Sequence, residues 1–433
     1  MPKTYAGVAM VAVLTQLAAA QTQTCDPTEI FGPQQHYGAG LQARAIAIGD
    51  LDGDGVADLA VANSLSQDLS VLFNNGDGTF ATEVRYAVPG VPKFVAIGDL
   101  DGDGSLDVVV ADRSNEEAVV LRNDGDGVFS SSARYGAGDS PEAVAIGDLD
   151  GDGSPDLALS NERSDDASVL LNNGDGTFAP HVTYDVGRRP EALAIGDLNG
   201  DGDADLVAAN TGRGTGGTTI SVLLNDGDGT FAPQVVYDVG NVPTSVAIGD
   251  LNGDGHPDLA VSNAFSNTIG LLLNNGDGSF AAQVTFATGA GPASVAIGDT
   301  DGDGDTDLVT ANFVDSTISL LLNEGDGTFA AQEPYDDGDS PETVAMADLD
   351  DDGDIDLATA NFFGNDASVL LNRCGRFACE ADIDGNGVLN VFDYLAFLSL
   401  FARGDPRADF DDDGVLTVFD FLAFQNAFDA GCP

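Results

Sequence analysis

The sequence predicts an all-β fold, a propeller of seven four-stranded blades, followed by a small α-helical module. Three observations predict it. An acidic loop beginning at Asp50 returns at Asp99, Asp148, Asp197, Asp250, Asp299 and Asp348, in steps of 49, 49, 49, 53, 49 and 49 residues. Each copy reads as four short strand-like runs parted by Asp/Gly turns, the pattern of a propeller blade. At residue 379 the pattern changes, and two apolar segments with helical spacing replace the glycine turns.

Residues 1–20 read as a secretory signal. Lys3 precedes the apolar run "AGVAMVAVLTQLAAA", and Ala18, Ala19 and Ala20 supply small residues for cleavage before Gln21. The run is too short to favour a membrane span. This places the chain outside the cell, where thiols oxidise and calcium is abundant. The 72 acidic residues against 15 basic give a net charge of −57, which repels nucleic acid and anionic membranes. Disorder is excluded, because 43% of the chain is hydrophobic and those residues fall in regular runs. A hard divalent cation is the simplest counter-charge.

Residues 25–377 carry the repeats. In the first copy "AIAIGD" alternates into the acidic loop, "DLAVAN" and "LSVLFNN" follow, and "TFATEVRYAV" comes after the turn "NGDG". The long step holds a four-residue insertion within "NTGRGTGGTTIS". Phe31 and Tyr37 stand 49 residues before Phe80 and Tyr86, so "IFGPQQHYGAG" is a fourth strand with no blade before it. Copy seven degenerates at "LLNRCGRF", where its own fourth strand belongs. The N-terminal strand is therefore expected to complete the last blade and close the ring. On the same period Cys25 aligns with Asn74 and Cys374 with Gly76, which predicts a Cys25–Cys374 disulfide among three possible pairings. Cys379 and Cys432 then bracket the C-terminal module.

Each acidic loop places carboxylates at positions 1, 3, 5 and 9. These are Asp50, Asp52, Asp54 and Asp58; Asp99, Asp101, Asp103 and Asp107; Asp148, Asp150, Asp152 and Asp156. The fourth and fifth copies read Asp197, Asn199, Asp201 and Asp205, then Asp250, Asn252, Asp254 and Asp258. The last two read Asp299, Asp301, Asp303 and Asp307, then Asp348, Asp350, Asp352 and Asp356. A tight wrap converges these groups on one point, and an all-oxygen shell suits calcium better than zinc. Asp and Gly also make ordinary turns, but four unneutralised carboxylates in one loop would repel strongly. Asp351 replaces glycine at position 4 of the last copy, which predicts strain there.

"DLDGDGVADLAVAN" followed by "VLFNNGDGTF" resembles the FG-GAP and VCBS-type repeats of integrin α-subunit propellers and bacterial secreted proteins. The resemblance covers about residues 29–377. It implies calcium in loops joining the first two strands of blades, up to seven ions, and leaves the ligand open.

In residues 379–432, "VFDYLAFLSLFARG" and "VFDFLAFQNAFDAG" each follow a twelve-position loop. The first carries Asp382, Asp384, Asn386, Gly387, Asn390 and Asp393; the second Asp409, Asp411, Asp413, Gly414, Thr417 and Asp420. Both follow EF-hand spacing, with Asp in place of Glu at position 12. The duplicated loop and helix resemble a dockerin, which implies two more calcium ions and a cohesin-like scaffold partner. Val391-Phe392 and Val418-Phe419 stand where such modules commonly carry a polar cohesin-contacting pair.

Arg44, Lys93, Arg113, Arg163, Arg188, Arg189 and Arg213 are expected on the propeller face opposite the acidic loops. A ligand there would be an anionic glycan held by forked hydrogen bonds, against the plain reading of exposed, charge-tolerant loops. His36, His181 and His256 stand in no cluster, and no Gly-x-Ser-x-Gly or Cys–His nucleophile pattern occurs. The expected function is therefore a secreted calcium-binding module for binding, adhesion or scaffold docking. The alternative is a polysaccharide-processing enzyme or its accessory subunit.

Overall fold

The computed structural model describes residues 27–212, 217–374, 391–403, 408, 410, 417, 421–425 and 428. Residues 1–20, read above as a signal, and Cys25, Arg213, Cys379 and Cys432 lie outside these residues. So do Asp382, Asp384, Asn386, Asn390, Asp409, Asp411, Asp413 and Asp420, and the side chain of Asp393.

Pro27–Cys374 forms one compact unit of seven four-stranded antiparallel sheets. In the first blade Ala43–Gly49, Asp58–Asn63, Asp68–Leu72 and Val84–Ala87 pair in that order. The second strand of every blade is buried at each position, as its near-continuous apolar run requires. First strands of adjacent blades pack on one another around a closed circle. The copy-four insertion falls between Asp205–Asn210 and Thr219–Leu223, outside the sheet.

The seventh sheet closes as the repeat period predicts. Pro341–Ala347, Asp356–Asn361 and Asp366–Leu370 are joined by the N-terminal strand Gln35–Gly38, with Gln35 opposite Val369 and Gly38 opposite Asp366. Phe31 bridges Asn372, and the Gly32 N–H donates to the Leu371 carbonyl at 2.8 Å. Cys374 is disulfide-bonded.

Blades are seamed by aromatic pairs. Tyr86 meets Phe129 edge-on with centroids 5.0 Å apart, and Tyr135–Phe178, Tyr184–Phe231, Tyr237–Phe280 and Phe286–Phe329 repeat the contact. Tyr335–Phe31 and Tyr37–Phe80 carry it across the closure. Each pair adds about 1 kcal/mol beyond its burial. The recurring tyrosines are thus interblade packing.

Every first strand also has a bulge near its start. Ala43 faces Asn63 while Ala45 faces Ala62, leaving Arg44 as the extra residue. The same register shift leaves Lys93, Glu142, Glu191, Thr244, Ala293 and Glu342 extra in the other blades. A bulge re-aims a side chain, here seven times over.

The C-terminal unit forms a helix at Val391–Arg403 and a second helical stretch at 421–425. Their apolar faces meet through Phe397, Leu400 and Phe424, with the Phe397 and Phe424 rings stacked at 4.1 Å.

Candidate metal centres

The acidic loops leave the first strand and return as the second. Asp50 organises the wrap: its Oδ1 accepts the Gly53 N–H at 2.7 Å and its Oδ2 accepts the Gly55 N–H at 3.0 Å. Gly53 and Gly55 sit at φ +77° and +93°, open to glycine and costly to other residues. Asp54 Oδ1 accepts the Val56 N–H at 2.9 Å. Asp58 closes the base, its Oδ2 accepting from Leu51 N–H at 2.9 Å and its Oδ1 from Asn74 N–H at 2.8 Å.

Carboxylate oxygens of Asp50, Asp52 and Asp58 lie within 4.8 Å of one another, as do those of Asp148, Asp150 and Asp156 and of Asp348, Asp350 and Asp356. In the second and sixth blades the gathered groups are Asp99, Asp101 and Asp103, and Asp299, Asp301 and Asp303. Oxygens at roughly 2.3–2.6 Å from a shared calcium would stand about this far apart, so the donor set fits that ion. In the fourth and fifth loops the position-3 amides turn to their neighbours, Asn199 donating to Asp201 at 2.8 Å and Asn252 to Asp254 at 3.0 Å.

Burial, the two carboxylates Asp52 and Asp54 assisting, pushes Asp58 up to about 6. Asp107, Asp156, Asp205 and Asp307 rise to about 6 and Asp356 to about 7, in each case chiefly through burial. A bound cation would supply the positive charge that holds these groups ionised.

Two features went unseen in the sequence. Arg122 pairs with Asp101 at 3.0 Å and donates to the Asp175 carbonyl at 2.7 Å, placing a cation at the second loop. Asn123 Nδ2 donates to the Leu51 carbonyl of the preceding loop at 2.7 Å and to Leu106 of its own loop at 3.0 Å. Asn172, Asn225, Asn274, Asn323, Asn372 and Asn74 repeat this staple around the circle. A regular Asn at one column of the period was the available signal. Asp351, in place of glycine, is held at φ +60° as expected.

The basic residues of the opposite face are largely neutralised. Lys93 pairs with Glu142 at 2.7 Å, Arg113 with Glu142 at 2.9 Å and also with Glu162, and Arg189 with Glu162. Arg44 pairs with Glu342 at 2.5 Å. Arg44 and Lys93 sit on first-strand bulges rather than in connections, while Arg163 and Arg188 are exposed. Little free positive charge remains there for an anion.

Fold and loops together define a closed propeller with a carboxylate cluster at the mouth of its blades. The FG-GAP-like repeat profile matches residues 50–110, 99–159, 148–208, 197–261, 260–310 and 299–359, and the chain belongs to that family. No curated protein matches the chain. Among solved structures it is similar to BBS1N in complex with ARL6DN, at 12% identity and TM-score 0.58, covering 79% of this chain and 97% of that one. It is similar to virginiamycin B lyase from Staphylococcus aureus at 12% identity and TM-score 0.55, covering 78% and 99%. An Agrocybe aegerita lectin that recognises non-reducing terminal N-acetylglucosamine aligns at 21% identity and TM-score 0.49, covering 71% and 91%. The two likenesses above 0.5 concern the fold alone. Among the described residues no helix is long and apolar enough to cross a membrane.

Proposed function

We propose that this protein is a secreted calcium-organised propeller that acts as an extracellular binding or adhesion module. The observation that carries the reading is the gathering of three carboxylates within 4.8 Å in five loops, an arrangement that is repulsive unless a cation occupies it. Asp50, Asp52, Asp54 and Asp58 and their counterparts would hold calcium, with Asn199 and Asn252 contributing carbonyl oxygens in the fourth and fifth loops. The rigid ring would then present its other face to a partner. The C-terminal unit serves as a dockerin-like calcium module for a cohesin-bearing scaffold, a reading supported by its loop spacing and its paired apolar helices.

The test is calcium titration by calorimetry, with elemental analysis, alongside cohesin and glycan binding screens run with and without EGTA. Bound calcium and chelator-sensitive capture are expected. A purified protein that binds no calcium overturns the reading.

A further inference from the structure

Three concavities run together on the face away from the acidic loops. An axial pocket of about 270 Å³ is lined by the bulged residue of every blade. A groove of about 570 Å³ lies between the fifth and sixth blades, walled by Val242, Ala264, Phe265, Phe313 and Val314. A third hollow of about 300 Å³ joins them, sharing Glu191 with the pocket and Phe265 with the groove, while Thr244 lines all three.

The charge along this track is uneven. In the axial ring Arg44 is paired with Glu342 and Lys93 with Glu142, so their charges cancel. Among the described residues Glu191 has no ion pair or hydrogen-bonding partner for its carboxylate. Glu342 Oε2 is buried without a hydrogen-bond partner. The groove end is the reverse: Phe265 is 74% exposed and Val314 69% exposed. Side chains of that size left to water, next to a carboxylate that no described residue pairs, suit an occupant with a cation beside an apolar group. The sequence has no Lys or Arg between Arg213 and Arg373, so the sixth and seventh blades supply no cation of their own.

Deepening the binding-module reading on which it rests, we propose that this track docks an extended peptide carrying a lysine flanked by bulky apolar side chains. The lysine ammonium enters the axial pocket against Glu191. An apolar neighbour covers Phe265 and Val314, and the Asn241 amide at the groove rim serves the peptide backbone. The nearly apolar groove walls favour a peptide over a sugar, whose hydroxyls need partners throughout.

The experiment uses the full calcium-loaded chain and fluorescence anisotropy with a fluorescein-labelled octapeptide bearing one lysine between two leucines. Saturable binding is expected. It should weaken at least tenfold when norleucine replaces the lysine, when serine replaces the leucines, and in Glu191→Gln. Phe265→Ser or Val314→Ser should weaken it similarly, and both are exposed enough to leave the fold intact. Asp77→Asn, at an exposed turn between third and fourth strands, should change nothing. Absence of binding, equal binding of the norleucine peptide, or preference for a chitosan oligosaccharide independent of Phe265 and Val314 overturns the proposal. Calcium binding measured on the same samples separates its failure from failure of the module reading.

Discussion

Asp351 shows how far a single residue can be read. The glycines at its position in the other copies, from Gly53 to Gly302, lie at φ +72° to +77°, and Asp351 is forced to +60°. The left-handed conformation costs a residue with a Cβ about 1 kcal/mol, so Asp351→Gly should stabilise the protein by about that much. Its melting temperature in calcium, followed by calorimetry, checks this. The stapling asparagines predict the opposite. Asn172→Ala leaves the Leu100 and Pro155 carbonyls, both 2.8 Å from its amide, without that donor. The Gly174 and Gly176 N–H groups lose their Oδ1 acceptor as well, and the loss of these bonds should destabilise by about 3 kcal/mol, measurable by urea unfolding. The carboxylate spacing was legible because ligation needs particular residue types at fixed positions. The role of Asn172 was not, since Asn is equally at home in a turn and only the neighbouring blade shows what its amide reaches.

Each blade turns from its first strand to its second through an acidic loop whose carboxylates repel one another. In metal-free protein Asp58, Asp107, Asp156, Asp205 and Asp307 hold their protons up to about 6, and Asp356 to about 7, against 3.8 for an ordinary aspartate. Between those values the native state binds more protons than the unfolded chain. That contribution is complete near pH 3.8 and is lost as the pH rises through about 6. EGTA-treated protein should therefore melt lower at about pH 7.5 than at about pH 5, and calcium should remove or reverse the difference. Thermal melts at both pH values, with and without chelator, decide it. Strands and turns of the blade could be read from alternation and Gly/Asp punctuation. The bulge could not, because its extra residue is of five types over seven copies: Arg44, Lys93, Glu142, Glu191, Thr244, Ala293 and Glu342. In a repeat so regular, that variable column was itself the sign that something other than packing sets it.

At the scale of the whole ring, the closure is legible in the period itself, through Phe31 and Tyr37 standing one repeat early. The N-terminal strand covers an edge that would otherwise offer unpaired backbone groups. Removing residues 27–38 should thus yield an open, self-associating protein, seen as large species by size exclusion with light scattering. The division of the far face into ion-paired and apolar sectors was not legible, since Glu142 and Glu162 meet their cations only after the ring forms.

The last pairing also decides how the molecule would behave under tension. Gln35 faces Val369, so the chain enters and leaves the seventh sheet at the same end of one antiparallel pair. A pull on the two termini would peel that pair open bond by bond instead of shearing it. Cys374 lies just past the fork, and a covalent bridge at that point would carry the load before the first strand bond felt it.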